Sequence, residues 1–364
     1  MNFLLSIIPT VIVLGVLIVI HEFGHFLACR LAKVKVEKFS IGFGPEILRW
    51  QGKETSYVIS LFPLGGFVKP AGESISEVGE GGPKPGDYLA APLFSRIVIV
   101  CAGVAMNYFL AYFLFVAIFM IGRPMPGTTI GDFVPNYPAA QSGLQAGDRI
   151  MEVDNKPVRN WMELIDTISK SPSEQVALTV QRAGEPLQIN ITPKVEKNRD
   201  FFGKEVVVKK LGITPHPAAT QFEKYGFVTS LGKAWKTEVY LTTMTYQSIV
   251  YLILGKISVK SMAGPIGIIA MTGDAARRGL PYILQLTATL SISLAVINLM
   301  PIPALDGGHL LFLLIEGLRR KQLSLLIQEK MTQVGFVLLL MLMAFIIYND
   351  MTNLGVMTKV KQLF

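Results

Sequence analysis

The chain has 364 residues, of which 51% are apolar and only 16% charged. That balance excludes an ordinary soluble domain, in which about a quarter of residues carry charge, and points to a protein that crosses a membrane several times. The net charge of +8 does not signal nucleic acid, because the basic residues flank apolar runs and form no stripe with aromatic residues.

The first apolar run, Leu4 to Leu27, is long enough to span a bilayer. No Lys or Arg precedes Arg30, so it lacks the positive start of a cleaved signal and reads as a retained helix. Near its end stands His21-Glu22-Phe23-Gly24-His25. Two histidines four apart on a helix lie on one face, where both imidazoles reach one cation and the glutamate after the first reaches the water beside it. This HExxH pattern is the signature of zinc proteases. Ionisable side chains at bilayer depth are costly, so three within five residues call for a zinc ion and a wet cavity. Cys29 and Cys101 sit in or beside apolar helices without metal or disulfide spacing, and read as small core residues.

Next, Val58 to Lys69 is apolar, too short to span, and broken by Pro63 and by Gly65-Gly66. It predicts a β-hairpin over about residues 55–70 that dips into the membrane and lines the site, with an edge to which an unfolded substrate segment can add as a strand. Gly72 to Asp87, rich in Gly, Glu and Pro, reads as a mobile loop. A second span runs from Ile97 to Ile121. These elements make residues 1–122 the first half of a membrane core.

Arg123-Pro124-Met125-Pro126-Gly127 marks a sharp exit from the membrane. Short β-type runs follow at Thr128–Val134, Arg149–Val153, Gln175–Gln181 and Leu187–Thr192, with a helix near Trp161–Ser169. They predict a small α+β domain over residues 123–217. Within it, the run from Pro138 to Val158 resembles the PDZ domains of bacterial proteases, where a short helix, a glycine turn and a strand follow in that order. The resemblance implies a groove that takes an extended segment or a peptide C-terminus.

Residues 218–280 form a mixed segment. From Phe222 to Lys260 the apolar residues Tyr225, Val228, Leu231, Trp235, Val239 and Leu241 recur at helical intervals among Lys and Ser, as in a helix lying in the membrane interface or an ordinary linker helix. Residues 281–364 complete the membrane core, with spans at Tyr282–Met300 and, the shortest, Val334–Tyr348. The loops after the first and third spans carry Arg30, Lys33, Lys35 and Lys38, and Arg319, Arg320, Lys321 and Lys330. The positive-inside rule puts both loops in the cytoplasm, leaving both termini and the α+β domain outside.

A catalytic zinc needs three protein ligands and an open position. Besides His21 and His25 the sequence has only His216, in the extracytoplasmic domain, and His309, so a carboxylate is the better third candidate. The run Asn298-Leu-Met-Pro301-Ile-Pro303-Ala-Leu-Asp306-Gly307-Gly308-His309 provides one at the end of the third span. Its prolines break the helix, and the glycines are expected to let the backbone turn tightly and present Asp306. His309 reads as a structural hydrogen-bonder, since the ligand set is full without it.

Together the HEFGH helix, the NLMPIPALDGGH run, the FPLGGFVK segment, the PDZ-like insertion and Gly264-Pro265-Ile266-Gly267 resemble the site-2 protease family, in its bacterial regulator-of-sigma-E protease branch, over nearly the whole sequence. The resemblance implies zinc on His21, His25 and Asp306, Glu22 as catalytic base, and Asn298 assisting substrate. Gly65, Gly66 and Phe67 of the hairpin are expected to hold the unwound substrate strand. It implies an intramembrane zinc metalloprotease of the bacterial cytoplasmic (inner) membrane, acting in a stress response, with its site towards the cytoplasmic side. Its substrates would be single-span proteins, either anti-sigma factors already trimmed outside the membrane or remnant signal peptides. Well-known enterobacterial members carry two tandem PDZ domains, whereas this sequence has room for one. Two other readings compete: a non-catalytic membrane scaffold that binds peptide tails, against which Glu22 speaks, and a membrane-anchored gluzincin with a cytosolic site, which would need a downstream Glu on a soluble helix.

Overall fold

The computed structural model describes residues 3–73, 82–199, 205–258 and 263–353. Most of the predicted Gly72–Asp87 loop, residues 74–81, lies outside them. The protein forms two compact units, residues 119–227 and the remainder.

In the larger unit, four helices are long and apolar enough to cross a membrane: α1 (Phe3–Leu31), α2 (Leu93–Ile121), and the helices at Leu280–Asn298 and Leu325–Asn353. At 1.5 Å per residue, a helix of 29 residues such as α1 extends about 44 Å, more than the roughly 30 Å of a bilayer core. The last span was expected to be the shortest. It is instead 27 residues long, Leu326–Thr352, because the helix starts upstream of the apolar run, through Gln328, Glu329 and Gln333, which line an open cavity.

Between α1 and α2, β1 (Val36–Gln51) pairs with β2 (Ser56–Pro70). The predicted hairpin therefore differs in its first strand. The two halves of Val58–Lys69 pair with upstream β1 rather than with each other, and a further turn falls at Gly52–Thr55, where the Gly52 amide donates to the Thr55 main-chain oxygen at 2.8 Å. β1 bends at Gly42 and Gly44, which hold φ of +94° and +88°, values that favour glycine. Ser40 meets both Val58 and Phe67, and the two registers on Phe39–Ile41 run in opposite senses, so β2 itself turns back between its halves, one on either side of β1.

In the smaller unit, β3 (Arg123–Pro126), β4 (Ile130–Phe133), β5 (Arg149–Val153) and β6 (Lys156–Pro157) precede α3 (Trp161–Lys170). β7 (Val176–Arg182), β8 (Glu185–Ile191), β9 (Lys194–Arg199), β10 (Glu205–Lys210), β11 (Ile213–Pro215) and β12 (Thr220–Glu223) follow. A four-stranded sheet in the order β6-β5-β7-β8 packs Ile150, Val153, Leu178 and Val180 against Leu164 and Ile168 of α3. α3 starts where Asn160 Oδ1 accepts the Glu163 amide at 2.9 Å and Glu163 accepts the Arg159 amide at 2.9 Å.

The larger unit resumes with α4 (Phe227–Ile253), α5 (Pro265–Arg278), α6 (Leu280–Asn298), α7 (Asp306–Arg319) and α8 (Leu325–Asn353). Close helix contact demands small residues: a Cβ on Gly273 of α5 would lie 1.9 Å from Ser6 Oγ of α1. Asp350, near the end of α8, accepts the amides of Gly264 and Gly267 at 3.0 Å each. A carboxylate there satisfies free N–H groups at the start of α5 and faces the positive end of its dipole.

Candidate metal centre

His21 and His25 stand one turn apart on α1, their Nε2 atoms 3.2 Å from each other. Asp306 is the first residue of α7, and its Oδ2 lies 3.1 Å from His21 Nε2 and 3.4 Å from His25 Nε2. Ligand atoms bonded at about 2.0–2.1 Å to a tetrahedral zinc are separated by roughly 3.3 Å. The three observed edges fit that figure. Asp306 Oδ2 is buried and has no hydrogen-bond partner among the described residues, which is the condition of an oxygen suited to a cation. His21, His25 and Asp306 are thus brought together as a group able to hold a metal ion.

α6 stops at Asn298, and Pro301 and Pro303 prevent its continuation until α7 begins. Gly307 and Gly308 do not form the tight turn the sequence suggested; both lie inside α7. Their role is close approach: a Cβ on Gly307 would lie 2.2 Å from the Met300 carbonyl oxygen, and one on Gly308 2.4 Å from that of Ile302. The connecting segment therefore folds back tightly on the first turn of α7, which sets the position of Asp306.

Helix α2 supports the two imidazoles. His25 Nδ1 lies 2.8 Å from the main-chain oxygen of Ile99, and His21 Nδ1 lies 3.2 Å from Asn107 Nδ2. Between them is Gly103, where a Cβ would sit 2.3 Å from His25 Nε2 and 2.8 Å from His21 Cε1. Neither Gly103 nor Asn107 stands out in the sequence. The only available signal was an Asn inside a strongly apolar span, where an unpaired amide is costly.

Asn298 Nδ2 lies 3.5 Å from His21 Nε2, at the rim of the group. Glu22 lines the same cavity, of about 660 Å³, as His21, His25, Asp306, Phe67 and His309. β2 passes directly beside it, since a Cβ on Gly66 would be 3.2 Å from Glu22 Cγ. Gly65 makes room for the Phe43 ring, which stacks on Phe67 with centroids 6.2 Å apart. His216 lies in the smaller unit, where its Nδ1 accepts the Ala218 amide at 3.3 Å. Among the described residues neither His216 nor His309 belongs to the His–His–Asp group. Cys29 is buried and Cys101 partly so, both as free thiols.

Two imidazoles and a carboxylate converging among apolar, span-length helices define a polytopic membrane protein with a cluster able to bind a metal ion. Residues 9–342 match peptidase family M50, and the protein belongs to that family. It is 35% identical to a Campylobacter jejuni protein over 95% of its own length and 93% of the relative, and 35% identical to a Nostoc protein over 96% and 97%. A Vibrio cholerae relative is 28% identical, with 97% of the present sequence and the full length of the relative covered. All three carry the words zinc metalloprotease in their names. A PDZ domain from a Listeria monocytogenes SdrC-like protein is 25% identical, covering 25% of the present sequence and 87% of that domain, with a TM-score of 0.19.

Proposed function

We propose that this protein is a site-2-type intramembrane zinc endopeptidase of the regulator-of-sigma-E branch, cutting membrane-spanning segments of single-span proteins. The observation that carries the reading is the meeting of His21, His25 and Asp306 with Glu22 in one cavity walled by span-length helices. A zinc ion bound by the three residues would supply Lewis acidity and a water acidic enough to attack at neutral pH.

Glu22, adjacent in sequence to one ligand, accepts the proton that water loses as its oxygen adds to the scissile carbonyl carbon. As the C–N bond breaks, Glu22 returns that proton to the leaving nitrogen, giving a free amine and a carboxylate. A helical peptide bond is shielded by its own hydrogen bonding, so the substrate must unwind first. Gly66–Val68 pairs on one side with Phe39–Ile41 and offers its other edge for strand addition. Gly65 and Phe67 shape that strand, and Asn298 donates a hydrogen bond to the substrate backbone.

The smaller unit serves as a PDZ domain. A groove of about 380 Å³ lined by Tyr137, Trp161, Leu164, Ile168, Val208 and Gly212 supports docking of an extended segment or a peptide C-terminus. The domain also filters by size, so that pre-trimmed anti-sigma factors and remnant signal peptides reach the site and intact ectodomains do not. The basic loops orient the protein in the cytoplasmic membrane with termini and PDZ domain outside and the site towards the cytoplasmic face.

Glu22→Gln tests the assignment: it should retain one zinc per protein molecule yet lose cleavage of a single-span substrate in detergent by at least about 10²-fold. Cleavage at the wild-type rate by that variant removes Glu22 from the chemistry.

A further inference from the structure

Two imidazoles that ligate one cation through Nε2 must each keep their remaining proton on Nδ1, because neutral imidazole carries a single N–H. In a desolvated site that N–H needs an acceptor, and the acceptor fixes both tautomer and ring orientation. For His25 the acceptor is the Ile99 carbonyl at 2.8 Å, which no side-chain substitution removes. His21 has no such main-chain partner among the described residues. Its Nδ1 contacts the side chain of Asn107 at 3.2 Å.

We propose that Asn107 is the positioning residue of the metal centre, its Oδ1 accepting the His21 Nδ1–H and holding the ring as an Nε2 ligand. This rests on His21 serving as a zinc ligand in the function proposed above. Asn107 is fully buried, so it cannot act by touching substrate. Its Oδ1 has no hydrogen-bond partner among the described residues, while the amide nitrogen faces His21. Half a turn of the terminal dihedral exchanges the two atoms, and only the oxygen-inward state suits an imidazole whose Nε2 lone pair is given to a cation.

The surroundings hold the backbone of this turn and not merely its side chain. Ser291 Oγ of α6 donates to the Asn107 main-chain oxygen at 2.8 Å, and Ser291 is itself buried. Ile99, Gly103 and Asn107 recur every four residues, so one face of α2 supplies a carbonyl to His25, clearance for both rings, and an amide to His21.

The test uses the full-length protein in detergent and reads metal, not turnover. Zinc affinity is measured by competition with a chelating dye, and coordination by the visible absorption of the cobalt-substituted protein. Asn107→Leu, close in size but without an acceptor, should weaken zinc binding by about 10- to 100-fold and alter the cobalt spectrum. Asn107→Asp, which keeps an acceptor oxygen, should bind zinc at least as tightly as wild type. Wild-type affinity and spectrum in Asn107→Leu overturn the inference. So does a loss in Asn107→Asp equal to that in Asn107→Leu, which would mark the site as sensitive to packing alone. Wild-type protein that takes up no zinc overturns the metal centre itself, an outcome distinct from either.

Discussion

The Arg96 guanidinium and the Glu316 carboxylate form a two-pronged ion pair that ties α2 to α7, with both residues more than nine-tenths buried. α7 begins with Asp306 and α2 carries Gly103 and Asn107, so the pair joins the two helices that meet the α1 histidines. Arg96, Asp306 and Glu316 line one cavity, and the ion pair lies ten residues along α7 from the metal centre.

Removing one partner of a buried pair strands the other charge, which typically costs about 3–5 kcal/mol, whereas replacing both by apolar residues of similar size is near neutral. Glu316→Ala should therefore lower the thermal unfolding midpoint sharply, and Arg96→Met with Glu316→Leu should recover most of the loss. If the double variant melts as low as Glu316→Ala, the pair contributes by more than its charges. Should Glu316→Ala melt with wild type, the pair is not a structural tie.

Gly103 makes a second, more local demand. A methyl group at this position would overlap both imidazoles, at 2.3 Å from His25 Nε2 and 2.8 Å from His21 Cε1. His25 cannot yield freely, because its other nitrogen is held by the Ile99 carbonyl. Gly103→Ala is expected to reduce zinc affinity at least about tenfold, the scale seen when support of a ligand is lost. Gly15→Ala, on α1 with nothing within 4 Å of its new Cβ, is the control and should bind zinc as wild type does. Equal zinc contents in the two variants under chelator challenge would count against the close contact.

What the sequence made legible follows from the range of each interaction. The HExxH pair needs only one helical turn, and it was readable as it stands. So were the four apolar spans and the β-strand at Arg149–Val153, whose signal is local periodicity. Long-range pairing was not. β1 escapes a sequence reading because Gly42, Gly44 and Pro45 interrupt its alternation, and only its contacts with β2 reveal it as a strand. Gly103 and Asn107 look like a small and a polar residue in a greasy run until the face of α2 that meets α1 is known. Arg96 stands just ahead of the expected second span and reads as a flank, while Glu316, ten residues past Asp306, has no visible partner in the sequence. The glycines after Asp306 matter for a reason that local pattern does not reveal: their value is the absent Cβ, not a tight turn.

The smaller unit offers a pH test that does not involve the metal centre. Asp148 is buried and accepts two hydrogen bonds from Arg182, at 2.7 and 2.8 Å, and one from the Gln145 amide at 2.8 Å. The Arg182 guanidinium holds the Asp148 carboxyl below the usual carboxylate range, with the Gln145 amide adding to the effect against the opposing influence of burial. A carboxyl that is more acidic when folded than when unfolded stabilises the fold above its unfolded pKa of about 3.9. That contribution disappears as pH falls through the lower, folded value, since the unfolded state then binds the extra proton first. Trp161, in the core of this unit, reports its unfolding once Trp50 and Trp235 are replaced by Phe. In that background denaturant midpoints should fall from roughly pH 5 downward, and Asp148→Asn should be less stable at neutral pH but flatter with acid. Parallel pH curves for parent and variant would mean that Asp148 titrates alike in both states, and would leave the Arg182 contact without a role in the stability of this unit.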